Sequence, residues 1–297
     1  MASLRRFLFI LLLALGTATH AQRGASLALE APWHGLPQIP VTLNDAVEGR
    51  FIVDTAASKT MLSRETVRRL GLAGRGAPAR LSGSTGRTAT HYHRLASLRL
   101  GTRDYRQLTA FEFPRSADIG PVDGLVGADI LRDHVLEFDN RHGRFRLLDP
   151  RLDPAHGEDR WAIIPFHERD DGLLILEVTI GRARMPALFD TGAAQNIVNP
   201  AAARAIGLRL FPDSASRSAI GGASGHVQEM HQIDISRLSI GDLAFGWTRI
   251  GVTDLAIFDA LGIGDGPAML LSAAMLSDRR FIVDYPRDRL LVERASD

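Results

Sequence analysis

The sequence predicts an all-β protein of two pseudo-symmetric β-barrel lobes, each with one short helix, flanking a central cleft. The chain repeats itself, and each repeat is built from short alternating apolar runs divided by Gly, Ser and Pro. Size agrees: at about 100–200 residues per domain, 297 residues hold two lobes.

The repeat rests on four segments that recur in one order. Phe51-Ile52-Val53-Asp54-Thr55-Ala56-Ala57-Ser58 matches Ala187-Leu188-Phe189-Asp190-Thr191-Gly192-Ala193-Ala194, with the aspartates 136 residues apart. Leu70-Gly71-Leu72 and Ile206-Gly207-Leu208 keep that offset of 136. Leu98-Arg99-Leu100-Gly101 and Leu238-Ser239-Ile240-Gly241 stand 140 apart, and Leu136-Glu137-Phe138-Asp139-Asn140 and Phe281-Ile282-Val283-Asp284-Tyr285 stand 145 apart. An offset that grows only by small insertions is the mark of duplication.

Taken from the N-terminus, residues 1–21 have the form of a secretory signal peptide: Arg5 and Arg6, the apolar run Phe7 to Leu15, then Thr19-His20-Ala21. That run is shorter than the roughly 20 residues a membrane span needs, so no membrane span is expected after cleavage. The first lobe covers 36–149. Ile39–Leu43 alternates and is β-branched, as a strand does, and leads through a turn into the Asp54 segment. Ser63–Leu70 reads as a helix, with Ser63 as N-cap and Gly71 closing it. Pro150, Pro154 and Gly157 mark 150–160 as a linker. The second lobe, 161–295, repeats the plan with a strand over Leu176–Ile180 and a helix over Pro200–Ile206, capped by Asn199 and closed by Gly207. Asp139 and Asp284 each precede a turn and read as turn caps.

Composition removes much chemistry. Lys and Arg total 35 against 34 Asp and Glu, so neither a general basic surface for nucleic acid nor an acidic one is present. Cysteine is absent, which excludes disulfide frameworks, thiolate metal sites and cysteine nucleophiles. Lys59 is the single lysine, and no Gly-Lys-Ser/Thr phosphate loop exists. No Gly-x-Ser-x-Gly elbow is present either. His91 and His93 share a strand face without an evident third ligand and read as a structural or surface pair.

What remains is a pair of carboxylates. An apolar strand ending in Asp-Thr-small-small sets a carboxylate on a tight turn, where small residues permit close approach. Two such turns facing each other make a pair that cannot readily ionise twice and therefore shares a proton. The ionised member deprotonates a water while the protonated member donates to a carbonyl, which is general acid–base hydrolysis of an amide. No metal and no organic cofactor is called for.

These residues resemble the retropepsin-like aspartic proteases, with two acid-protease-like lobes fused in one chain. Phe189-Asp190-Thr191-Gly192-Ala193 matches the family signature in full, and Leu125-Val126-Gly127-Ala128-Asp129-Ile130-Leu131 fits its second motif, an apolar pair followed by Gly. The likeness runs over roughly 36–295. It implies that Asp54 and Asp190 are the catalytic dyad, supported by Thr55, Thr191, Ala56 and Gly192, with the two threonines bracing the turns across the lobe interface. It also implies flap hairpins that bind substrate: Gly83, Ser84, Thr85 and Gly86 in lobe one, and Gly221, Gly222, Ala223 and Ser224 in lobe two. Two flaps are closer to the retroviral dimer than to pepsin. The resemblance implies an aspartic endopeptidase acting on a peptide or protein, periplasmic or secreted, and a monomer, because one chain carries both half-sites. Two departures stand out: Ala56 replaces the family Gly after Asp54-Thr55, and Ser272 replaces the Gly of the second motif in lobe two. They motivate the alternative of a peptide-binding pseudoprotease that has lost catalysis. Ala57 and Ala193, where pepsins carry hydroxyls, suggest a raised shared pKa and activity nearer neutral pH.

Overall fold

The computed structural model describes residues 25–31, 35–114, 120–208 and 216–295. The expected export segment, 1–21, lies outside them. In lobe one, six strands close a barrel in the order Gln38–Leu43, Val47–Val53, Gly124–Val126, Met61–Ser63, Arg103–Phe113 and Gly86–Leu100. Closure comes from the last strand, which returns to the first with Thr42 opposite Arg99 and Leu43 opposite Leu98. A closed barrel leaves no unpaired edge in the ring.

Lobe two repeats the ring with Leu174–Ile180, Ala183–Asp190, Met269–Ser272, Asn196–Val198, Thr248–Val252 and Val227–Ile235. Here the returning strand is broken. Arg237 turns to φ 63°, and a separate segment, Leu238–Ile240, pairs with Leu174–Ile180. The left-handed residue stands at the break, between Val227–Ile235 and Leu238–Ile240.

Each predicted helix forms where its cap stands. Ser63 accepts the Thr66 N–H at the head of Arg64–Arg69, and Asn199 accepts the Ala202 N–H at the head of Pro200–Ala205. Such caps satisfy backbone donors that a helix start otherwise leaves open. Each lobe adds one further α-helical turn, Ala128–Leu131 and Ala256–Ala260.

A six-stranded antiparallel sheet joins the lobes. Its order is Ala25–Ala28, Arg144–Leu148, Val135–Asp139, Arg280–Asp284, Arg289–Glu293 and Trp161–Glu168, three strands from each half. The halves meet where Phe138 faces Phe281, their rings stacked at 4.5 Å. Phe189, the residue before Asp190, packs edge-on against Phe281 at 6.2 Å. One column of aromatic rings therefore runs from the joining sheet to the Asp190 turn. Fully buried Glu137 is bound by Arg146 of its own half and by Arg280 of the other.

Asp139 and Asp284 occupy matching places. Asp139 caps its turn through the His142 N–H at 3.3 Å and pairs with Arg144. Asp284 makes no capping bond; it is fully buried and pairs instead with Arg287 and Arg289. The turn-cap expectation thus holds for the first aspartate, whereas the second spends its carboxylate on two guanidinium groups.

Candidate active site

Asp54 and Asp190 each stand just past or at the end of a buried strand. Both strands run parallel to the strand of the second motif: Val53 sits opposite Val126 and Asp190 opposite Ser272. In lobe one that crossing requires glycine. A Cβ at Gly124 would lie 2.3 Å from the Phe51 ring, and one at Gly127 would lie 2.5 Å from the Lys59 backbone. Both distances are shorter than any non-bonded carbon contact.

The two Asp-Thr turns lock together through four hydrogen bonds with two-fold symmetry. The Thr55 N–H donates to Thr191 Oγ1 at 3.0 Å, and the Thr191 N–H donates to Thr55 Oγ1 at 3.1 Å. The hydroxyls then donate onward, Thr55 to the Phe189 carbonyl at 2.9 Å and Thr191 to the Val53 carbonyl at 2.6 Å. All are buried, so every donor and acceptor of this junction is satisfied away from water.

This junction fixes the carboxyls. Asp54 Oδ1 accepts the Ala56 N–H at 2.9 Å and Asp190 Oδ1 accepts the Gly192 N–H at 2.7 Å. The two carboxyls are also hydrogen-bonded to each other. Burial raises Asp54 from 3.8 to about 6 against the pull of the Ala56 and Ala57 N–H groups. Burial also lifts Asp190 well above the usual carboxylate range, and the Asp54 charge adds to it. Such a pair gives up its two protons in separate steps and holds one proton between them. Burial comes first among the causes, while Ala57 and Ala193 act through backbone N–H groups that pull the pair downward.

Gly192 leaves no room for a side chain: a Cβ there would meet Asp54 Cγ at 2.6 Å. Ala56 does carry a methyl at the matching place. It packs against an apolar cluster of lobe two formed by Leu173, Leu188 and Leu261. Ser272 is accommodated by hydrogen bonding. Its Oγ donates to the Ala193 carbonyl at 2.5 Å and accepts the Ala274 N–H at 3.0 Å, while its N–H reaches Asn196 Oδ1 at 2.9 Å. In lobe one the matching carbonyl, Ala57, is taken by the Ala128 N–H at 2.7 Å. The serine hydroxyl thus does for lobe two what a backbone amide does for lobe one.

A cleft of about 470 Å³ lies over the dyad. Its apolar walls include Leu36, Met61, Phe111 and Leu125 from lobe one and Leu173, Leu188, Ile257 and Leu261 from lobe two. Its roof is two hairpins, Arg75–Gly83 with Gly86–Leu100 and Ser216–Gly221 with Val227–Ile235. Gly83, Ser84, Gly221, Gly222 and Ala223 line the cleft. The tips touch: Thr85 Oγ1 lies 3.2 Å from Ser224 Oγ and donates to the His226 carbonyl at 2.8 Å. His226 Nε2 reaches back to the Arg87 carbonyl at 2.9 Å. A Cβ on Gly86 would come within 2.9 Å of the His226 ring, so the close approach of the tips needs that glycine.

Comparison with known families agrees with this geometry. A model described as aspartyl protease matches residues 39–130, and one described as gag-polyprotein putative aspartyl protease matches residues 176–261. Both lobes are aspartyl-protease-family domains, fused in one retropepsin-like chain. No curated protein matches the sequence. The two matches fall one on each barrel, so the retropepsin-like chain holds two different versions of one domain.

Sequence reasoning missed several residues in and around the retropepsin-like site. Thr60 and Asn196, 136 apart, bind the second motif from matching places: Thr60 Oγ1 accepts the Gly127 N–H at 3.3 Å and donates to Asp129 at 2.8 Å. His226 carries no motif in the sequence, yet it ties the two tips. His93 was not missed: expected to be structural, it lies buried against Glu112, with Nε2 and Oε2 3.1 Å apart. The wall residues Leu36 and Leu173 carry no motif, and standing 137 apart they fall off the 136-residue offset of the Asp segments.

Proposed function

We propose that the protein is an exported aspartic endopeptidase, in which Asp54 and Asp190 hydrolyse peptide bonds with an activated water. The observation that carries this reading is the buried, mutually hydrogen-bonded carboxyl pair on the floor of a roofed cleft. The ionised member takes a proton from water as it attacks the scissile carbonyl, and the protonated member donates to the carbonyl oxygen. Return of a proton to the nitrogen then releases the amine. Peptide main chain pairs with the hairpin strands as an added strand would, and the tips part to admit it. The substrate is a peptide or protein, and a monomer suffices because both half-sites lie in one chain. Residues 1–21 direct export to the periplasm or beyond.

The test is digestion of a degenerate peptide library by the wild type, Asp54→Asn and Asp190→Asn. Cleavage by the wild type alone supports the reading. Activity that survives either substitution overturns the dyad, and a wild type inert from pH 3 to 9 overturns the endopeptidase.

A further inference from the structure

The cleft wall carries few charges. Besides the dyad, the charged residues that line it are Lys59, Arg80 and Asp171. Lys59 belongs to the floor, five residues beyond Asp54. Arg80 belongs to the roof, three residues before its strand ends at Gly83. Both side chains are exposed to the cleft, and neither has an ion-pair partner among the described residues. Asp129 feels Lys59 through space, but its Oδ1 is bound by the Thr60 N–H and Oγ1, each at 2.8 Å. Asp171 is already engaged, by Arg169 Nε at 3.4 Å and the Leu173 N–H at 3.4 Å.

The other lobe offers no such charge at the matching places. Gln195 stands 136 residues after Lys59, and Ser218 lies three residues before the second roof strand ends at Gly221. The repeat is therefore broken electrostatically: the lobe-one part of the cleft carries a cation in both floor and roof, while the matching places in lobe two, Gln195 and Ser218, carry no charge. The walls flanking the dyad are apolar, so an acidic side chain has no partner at the scissile bond itself. A free cation in a walled cleft attracts a carboxylate more strongly than one on an open surface, where water screens it.

We propose that Lys59 and Arg80 are specificity-determining residues that select peptides carrying an Asp or Glu side chain at one position to one side of the scissile bond. This rests on reading the cleft as that of a protease. Extended main chain fixes the register of the peptide, so the preference falls at a single position and has no mirror image across the cut.

The experiment has a cleavage arm and a binding arm. In the first, wild type, Lys59→Gln and Arg80→Ser digest a proteome-derived peptide library, and a Glu/Gln pair of peptides is built on a preferred cut site. The wild type is expected to enrich acid at one position. The Glu-to-Gln ratio of kcat/KM is expected to fall about two- to fivefold for each charge removed, the range of a single exposed pair. Because Lys59 is the single lysine, acylation of its amine should lower the ratio likewise. In the second arm, fluorescence anisotropy measures the same pair of peptides binding to Asp190→Asn, with Glu expected to bind more tightly and to lose its advantage in high salt. Cleavage without acid enrichment, or enrichment that survives both substitutions, overturns the selection and leaves the protease standing. Preferred binding of the Glu peptide with no cleavage by wild type overturns the protease and leaves the selection standing. Neither cleavage nor a Glu preference in binding overturns both.

Discussion

Replacing Asp54 by Asn is expected to stabilise the protein at neutral pH while ending its catalysis. Below pH 3.8 the Asp54 carboxyl is protonated in both the folded and the unfolded chain, so it costs nothing. Between 3.8 and about 6 the unfolded chain releases this proton while the folded chain keeps it. Stability therefore falls as pH rises through that window, and above about 6 the cost is constant. The rise from 3.8 to about 6 corresponds to about 3 kcal/mol at pH 7. Asparagine keeps the acceptor for the Ala56 N–H and gains a donor toward Asp190, so the local hydrogen bonds survive. It also removes the charge that pushes Asp190 upward. At about 2 °C per kcal/mol for a chain of this size, the melting midpoint of Asp54→Asn should exceed that of wild type by roughly 6 °C at pH 7 and match it at pH 3. Calorimetry at the two pH values is the assay. An equal difference at both, or a lower midpoint for the variant at pH 7, refutes the reasoning, because either result means that Asp54 carries no ionisation penalty in the fold.

The same raised carboxyls set the pH–rate profile. Its rising limb, which reports the first ionisation of the pair, should have a midpoint near 6, and a profile peaking at pH 2–3 contradicts that. Thr191→Val removes the hydroxyl bond to the Val53 carbonyl and the acceptor of the Thr55 N–H. Two buried groups then lack partners, at about 1–3 kcal/mol each, so urea denaturation should show a loss of at least about 2 kcal/mol. Glu137→Gln leaves Arg146 and Arg280 facing each other across the lobe boundary and should cost about 3 kcal/mol by the same measurement. Export predicts a mature chain that begins at Gln22; N-terminal sequencing of protein recovered from culture checks it.

Much of the fold was legible because duplication leaves a signal that needs no alignment. Four segments in one order gave the two lobes, and the caps Ser63 and Asn199 gave the helices. Barrel lobes were expected, but which strand closes the first one was not legible, since that depends on Gly86–Leu100 returning over a long span of chain to pair with Gln38–Leu43. Nor was the break at Arg237, where nothing in an arginine announces a positive φ. At the site, the aspartates and threonines stood out because their spacing repeats. The apolar walls did not, because a leucine facing a cleft and a leucine facing a core look alike in sequence. Ala56 and Ser272 looked damaging when read against a pattern. Their neighbours give the opposite reading, for the methyl finds an apolar cluster and the hydroxyl finds a carbonyl that needed a donor.

These two departures bear on why the lobes have drifted apart without losing the site. The dyad needs only that two carboxyls be held at hydrogen-bond distance, and that distance is set by the threonine junction, which is the same on both sides. Residues one step out, Ala56 against Gly192 and Gly127 against Ser272, need only fill space and satisfy the carbonyls of Ala57 and Ala193. Each lobe has met that requirement in its own way. Further out, at Lys59 and Gln195, nothing in the fold demands symmetry at all. Asymmetry there changes what the cleft attracts and leaves the junction beneath it untouched. Fusion of two half-sites in one chain permits this, since a true dimer would have to carry the same residue at both ends of its cleft.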